Sequence, residues 1–527
     1  MKWIMPPVLD WTRGRRAMVE GSSAGDQRKP KSSGAPIVVM KFGGTSVQDA
    51  AAIHRTISIV KGRRDRGLRP VVVVSAMAKV TDQLLLAAEA AAVNDTQQAM
   101  EISRSLRERH LGTAADLVGR NIQAVAKVIH ENFDKLEDIL RGVAAVGELT
   151  KRTIDLISSY GERLSSRIVA DAFEHRGIRS AHVDARTCII TNSHHGRAVP
   201  QTELIGARLH EHVLPLLEVS AIPILGGFIG SAANGITTTL GRGGSDFTAA
   251  LVGSGLNAGA IEIWTDVNGI MTTDPRICPD ALRVRALSFE EAAELAYFGA
   301  KVLHPSTILP AVKKDIPVWV LNSHNPLNEG TKITAFAPRS SSPLKSISAK
   351  KHLTIIHIVS SRMLMSHKFL RASFEVFDRY ACAVNMVSTS EVSISVSIDA
   401  TDELPGIIAD LSQIATVRTE ERKALICLVG ENIQGHKGLS ERVFSAVREI
   451  NLDMISQGAN GINMSFMIDG TAVEGAVRSL HREFFADPDP AIFDLANTGK
   501  AVASAVLSKP RIADPSGVAK PAFAGVP

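Results

Sequence analysis

Ile37-Val38-Val39-Met40-Lys41-Phe42-Gly43-Gly44-Thr45-Ser46 is the stretch on which the fold turns. An apolar, β-branched run that stops at two glycines and two hydroxyls reads as a buried strand feeding a tight loop. Glycines let backbone N–H groups approach a phosphate without an intervening Cβ, and Lys41, Thr45 and Ser46 add side-chain donors. A second such loop, Gly241-Arg242-Gly243-Gly244-Ser245-Asp246, follows Thr237-Thr238-Thr239-Leu240. Neither loop fits G-x-x-x-x-G-K-[ST] or G-x-G-x-x-G, so the P-loop and dinucleotide fingerprints are absent. Two glycine loops, each with a cation, predict a phosphoryl-transfer enzyme.

Working outward, apolar strand runs recur at Val71–Val74, Ile222–Leu225, Ile236–Leu240, Ile261–Trp264 and Val318–Leu321. Helical stretches separate them. Residues 83–145 read helical, and Val125, Val128, Ile129, Phe133, Leu136, Ile139 and Leu140 keep the i, i+3, i+4 stripe of an amphipathic helix. This alternation predicts an α/β unit, a mostly parallel sheet covered by helices on both faces. Ligands of such sheets sit at the carboxyl ends of strands, where both loops fall.

Ala337-Pro338-Arg339-Ser340-Ser341-Ser342-Pro343 is the best linker signal. Beyond it Asn385-Met386-Val387-Ser388 is answered by Asp453-Met454-Ile455-Ser456. Ser393–Asp399 is likewise answered by Asn463–Asp469. One helix-like stretch precedes each copy, so two small α/β modules are expected rather than a solenoid. The resulting division is an extension over 1–35, a catalytic unit over 36–336, a linker over 337–346, two modules over 347–485, one of them discontinuous, and a disordered tail over 486–527.

The net charge of +5 in 527 residues is concentrated at the start of the chain. Residues 1–36 hold seven basic and three acidic side chains, so the remainder is close to neutral and carries no nucleic-acid footprint. Cys188, Cys278, Cys382 and Cys427 show no C-x-x-C spacing and are expected to be reduced thiols of a cytoplasmic protein. Residues 219–241 are uncharged, but five glycines and a proline argue against a membrane span. No continuous apolar segment near the start reads as a secretory signal. His194-His195 has no partner at ligand spacing and reads as a solvent-exposed pair, so no protein-held metal is expected.

Four blocks resemble the aspartokinases of the amino-acid kinase superfamily: Lys41–Val47, Thr239–Asp246, Trp264–Val267, and Phe298 to Pro305. The C-terminal repeat resembles the paired ACT domains, amino-acid-sensing modules, of the same family. The resemblance implies ATP and L-aspartate as substrates, with Mg²⁺ arriving on the nucleotide, and a role in the synthesis of lysine, threonine and methionine. It places Lys41 on the transferred phosphoryl group and Arg242 on the α-carboxylate of aspartate, with Asp246 closing the site. A guanidinium fork suits a carboxylate where an ammonium offers only a point charge. Glu162, in Ser159-Tyr160-Gly161-Glu162-Arg163, occupies the position that meets the α-ammonium, and Ser75, Thr81 and Phe228 match further substrate contacts. Read alone, Thr81 is a helix N-cap. Gly43, Gly44, Thr45, Ser46, Thr265, Asp266, Met271, Arg276 and Lys301 fall at nucleotide-contact positions, Met271 where relatives often carry tyrosine. Lys301 follows a helix opened by the capping box Ser288-x-x-Glu291.

Met363, Ser366, Phe369, Leu370, Val384 and Ser390 resemble the effector contacts of lysine-sensitive aspartokinases. Lys368, Ala383 and Asn385 stand where that pattern has glycine, serine and aspartate, so weak lysine inhibition is expected. Module edges predict a homodimer or a dimer of dimers. Two alternatives stay open on the residues alone: another amino-acid kinase, acting on glutamate, N-acetylglutamate, carbamate or a nucleoside monophosphate, and a catalytically silent amino-acid-binding regulator.

Overall fold

The computed structural model describes residues 35–298, 307–338, 340, 342–359, 368–390, 392–458 and 460–495. Lys301, Met363 and Ser366 lie outside them. Strand Ile37–Phe42 sits inside an eight-stranded sheet whose order is Ala286–Ser288, Thr331–Thr334, Val318–Asn322, Ala260–Thr265, Ile37–Phe42, Arg69–Val74, Ile222–Gly226, Ser180–Val183. All neighbours are parallel except Val318–Asn322 with Thr331–Thr334. The period of two sorts each central strand into both cores. Ile37, Val39, Val71 and Val73 join one core, with the helices Thr202–His212 and Gly244–Gly255. Val38, Met40, Phe42, Val72 and Val74 join the other, with five helices: Ala50–Asp65, Val80–Ala92, Thr96–Val118, Ile122–Val146 and Lys151–His175. Burial on both faces explains why these strands are continuously apolar rather than alternating.

One expected strand is placed differently. Thr237–Thr239 leaves the central sheet and pairs antiparallel with Ile229–Ala232, which also pairs with Ile190–Thr191 in a small side sheet. The second glycine loop therefore descends onto the central sheet from the side.

The C-terminal repeat forms a six-stranded antiparallel sheet, ordered Val384–Thr389, Ser393–Asp399, Ser346–Val359, Thr416–Val429, Asn463–Asp469, Met454–Gln457. The repeated segments occupy mirrored positions at its two ends. The two long middle strands break register between Lys350 and Ile355, with His352 and Arg422 at positive φ. One half of each strand thereby serves each module.

Two expectations about the flanks are corrected. Leu344 and Lys345, placed in the linker, are 0% and 1% exposed. Lys345 Nζ lies 2.9 Å from the carboxylate of Glu291, itself buried. A buried ammonium without such a carboxylate would be untenable, so the segment is a fixed strap. Residues 486–495, placed in the disordered tail, return to the catalytic unit. Phe493 pairs with Val284, Asp494 meets Arg283 at 2.6 Å, and Ile492 and Phe493 are fully buried.

Candidate active site

Lys41 is flanked in register by Val73 and Ile263 on the two neighbouring strands, at the carboxyl end of the sheet. The chain then turns through Gly43, whose N–H donates to Trp264 O at 3.1 Å, into a single 3₁₀ turn Gly44–Ser46. Ser46 is buried and its hydroxyl lies 2.8 Å from that of Ser323. Ser323 in turn bonds the carbonyl of Thr265. Backbone and hydroxyl bonds thus tie the first glycine loop to the segment carrying Thr265 and Asp266.

The second loop delivers Asp246 to Lys41. Gly243 adopts φ 72°, a left-handed conformation that suits glycine, and opens the helix Gly244–Gly255. Asp246, in that helix's first turn, lies 2.7 Å from Lys41 Nζ, with both side chains only slightly exposed. Arg242 stays exposed at the cavity mouth.

The third wall is the helix Lys151–His175, capped by Thr150 on the Thr153 N–H. Gly226 lets this helix approach, since a Cβ there would lie 2.9 Å from Glu162 O. Glu162 is 4% exposed, and its Oε2 has no hydrogen-bond partner among the described residues. Burial pushes its pKa up to about 8, against the smaller opposing pull of the Ala76 backbone.

Between these walls lies a cavity of about 480 Å³. It gathers every residue expected at the phosphoryl and amino-acid end: Lys41, Ser75, Thr81 and Glu162 from the central sheet side, and Phe228, Arg242 and Asp246 from the second loop side. Phe228 holds φ 65°, an unusual backbone state for an aromatic residue. Its N–H donates to Thr248 Oγ1 at 3.0 Å. Thr81 is not the N-cap read from the sequence. Lys79 caps that helix at φ 65° and no side-chain cap bond, which leaves Thr81 inside the first turn and on the cavity wall.

Apart from Lys41, the expected nucleotide residues among the described ones lie outside that cavity. Thr265 and Asp266 follow strand Ala260–Thr265, and their side chains bond one another at 3.1 Å. Arg276 is exposed and held on Asp274 at 2.6 Å. Met271 O accepts from Ser346 Oγ at 2.8 Å, so this segment is tied to the C-terminal sheet. His195 is corrected: it is mostly buried, with Nδ1 2.7 Å from the carboxylate of Asp155. Asp155, a cavity-lining residue not singled out in the sequence, is 1% exposed. A lone aspartate near the start of a helix carries no local signal of this role, because its partners are 40 to 84 residues away. Among the described residues, no group of three or more His, Cys, Asp or Glu is arranged to hold a metal ion.

In the C-terminal sheet, Phe369 is buried and Leu370 exposed. Asn385 bridges Lys350 and Asp399. It accepts from Lys350 Nζ at 2.9 Å and donates to Asp399 at 3.1 Å, while Lys350 and Asp399 pair at 2.6 Å. Ser390 and Ser393 hydroxyls meet at 2.7 Å, and Val384 O accepts from Tyr297 of the catalytic unit.

A mostly parallel α/β sheet whose first strand brings Lys41 to a cavity walled by the second glycine loop is the frame of a phosphotransferase, and the chain belongs to the amino acid kinase family, whose model matches residues 36–322. A model of the ACT domain matches residues 426–484. Within the family it belongs with the aspartokinases. It is 39% identical to "Aspartokinase 1, chloroplastic" of Arabidopsis thaliana, over 86% of this chain and 80% of that one. It is 35% identical to "Lysine-sensitive aspartokinase 3" of Escherichia coli, over 85% and 99%. The crystal structure of E. coli aspartokinase III in complex with aspartate and ADP superposes with a TM-score of 0.76 at 34% identity, covering 85% of this chain and all of that one. No helix among the described residues is long and apolar enough to cross a membrane.

Proposed function

We propose that this chain transfers the γ-phosphoryl group of ATP to the side-chain carboxylate of L-aspartate, giving ADP and 4-phospho-L-aspartate. One observation carries the reading. A single cavity is lined by a buried carboxylate with one unpartnered oxygen, Glu162, by a guanidinium, Arg242, and by the ammonium of Lys41. An α-amino acid presents one cation and one anion at a fixed separation, and the two walls answer them. Its side-chain carboxylate, ionised at neutral pH, then attacks phosphorus as the bond to the ADP oxygen breaks. No general base is needed, so catalysis rests on in-line positioning and charge neutralisation.

In this reading Arg242 grips the α-carboxylate, Glu162 meets the ammonium, and Ser75, Thr81 and Phe228 shape the pocket. Lys41 neutralises charge spreading over the equatorial oxygens, and Asp246 holds Lys41 in place. Gly43 to Ser46, Thr265, Asp266, Met271, Arg276 and Lys301 are assigned to the nucleotide. Mg²⁺ comes with ATP, held by phosphates and water. The catalytic unit spans 36–336 and the sensing modules 347–485, in a homodimer of the cytoplasm. Met363, Ser366, Phe369, Leu370, Val384, Asn385 and Ser390 are assigned to an amino-acid effector.

The test uses the chemistry of an acyl phosphate. With ATP, Mg²⁺, L-aspartate and hydroxylamine, the enzyme should accumulate a hydroxamate in step with ADP. Aspartate-dependent ADP release without hydroxamate would overturn the assignment.

A further inference from the structure

Glu162 and Arg242 come from different elements, and something must fix the distance between them. Asp155 lies seven residues before Glu162 on the helix Lys151–His175, two turns away and on the same face. Asp155 lines the same cavity, with its side chain 1% exposed. It is used entirely inside the protein. His195 Nδ1 meets Oδ2 at 2.7 Å, Gly196 N–H donates to both oxygens at 3.1 Å, and Thr239 Oγ1 donates to Oδ1 at 2.5 Å. Thr239 stands three residues before Arg242, and its carbonyl accepts from Ala198 N at 2.9 Å. Gly196 O in turn lies so near Gly241 that a Cβ at Gly241 would be 3.2 Å from it. One buried carboxylate therefore joins the Glu162 helix, the 194–198 loop and the root of the Arg242 loop.

We infer that Asp155 is a positioning residue for the amino-acid substrate: it sets the span between the group that meets the ammonium and the group that grips the α-carboxylate. The inference rests on the substrate roles given above to Glu162 and Arg242. Charge-assisted bonds of this kind are the strong ones, and three partner groups on one buried carboxylate leave it little freedom. Misplacing one half of the clamp weakens amino-acid binding, whereas the nucleotide, on the far side of Lys41, is held by other segments.

The test compares Asp155→Asn, Thr239→Val and Arg242→Ala with the parent enzyme. Asp155→Asn should raise KM for aspartate about tenfold or more, with KM for ATP and kcat at saturating aspartate within about threefold. Thr239→Val, which removes one donor and keeps the carboxylate, should shift the same constant in the same direction by less. A role confined to stability would instead lower the melting temperature and reduce active enzyme without separating the two KM values, and that result overturns the inference. Should Asp155→Asn fail to fold, an unchanged aspartate KM in Thr239→Val overturns it equally. Arg242→Ala separates the two layers. A raised aspartate KM there beside unchanged values in the other two variants removes Asp155 alone, and an unchanged value there removes the clamp and Asp155 with it.

Discussion

At the scale of single residues the site is a set of charges whose states depend on who is bound. Glu162 is the clearest case. Buried, with one oxygen unpartnered, it is held mostly protonated at neutral pH, its pKa pushed up to about 8 from an ordinary 4.5. The sign follows directly. A folded-state pKa above the unfolded value means that stability from this group is complete below 4.5 and is lost as pH rises through 8. An arriving ammonium favours the ionised form, so binding aspartate releases a proton. KM for aspartate should therefore fall as pH rises from about 6 to 8 and then level, a trend of up to tenfold per pH unit. A Glu162→Gln enzyme should lose that slope. A flat profile in the parent enzyme would remove Glu162 from the ammonium. Lys41 makes the complementary prediction. Its ammonium already sits 2.7 Å from Asp246 at the sheet's carboxyl end. Lys41→Ala should lower kcat by about 10²–10³, as loss of a preorganised transition-state donor does. Near-normal turnover by a folded variant would remove Lys41 from the phosphoryl group.

At the scale of elements, the contacts that matter join the catalytic unit to the C-terminal sheet. The helix Phe289–Tyr297 opens with a reciprocal capping box, Ser288 Oγ accepting from Glu291 N–H and the Glu291 carboxylate accepting from Ser288 N–H. That same carboxylate receives Lys345, and Glu294 one turn on receives Asn460 and Asn463. Lys345→Met should destabilise the protein by about 3–5 kcal/mol, because it leaves Glu291 charged and buried without its cation. Adding Glu291→Gln should recover much of that loss in urea or thermal unfolding, and equal instability of the double variant would show that the charge is not the cause. These contacts also mark the limit of what the sequence revealed. The first loop, the alternation of strands and helices, the capping box and the internal repeat were all legible, since each is a local pattern with a local cause. Lys345 and Phe493 were not. They sit in Ser/Pro-rich or Ala/Pro-rich stretches, and their burial depends on surfaces supplied by Glu291 and Val284 far along the chain. Asp155 and His195 escaped for the same reason, while Thr81 misread as a cap because the left-handed Lys79 took that position instead.

At the scale of the whole molecule, a continuous apolar core runs from the central strand Ile37–Phe42 to the C-terminal strand Thr416–Val429, so the sensing sheet is built onto the catalytic one. An effector shifts activity only by its differential affinity for two states, typically about 1–3 kcal/mol of coupling. At Asn385 an internal ammonium, Lys350, already sits on the Asn385 amide oxygen and on one oxygen of Asp399. Lysine should accordingly inhibit weakly. Asn385→Asp should strengthen inhibition about tenfold or more by adding a charge-assisted contact of about 1.5–3 kcal/mol. Micromolar inhibition of the parent enzyme, unchanged by that substitution, would place the effector's ammonium elsewhere. The central claim is the amino-acid clamp, and substrate choice tests it most directly. On the proposed clamp of both α-groups by Glu162 and Arg242, the side-chain carboxylate has one reach, and an added methylene costs about 1–3 kcal/mol. Initial-rate ADP release at saturating ATP should give a kcat/KM for L-aspartate at least about tenfold above that for L-glutamate. Equal values for the two would contradict the account.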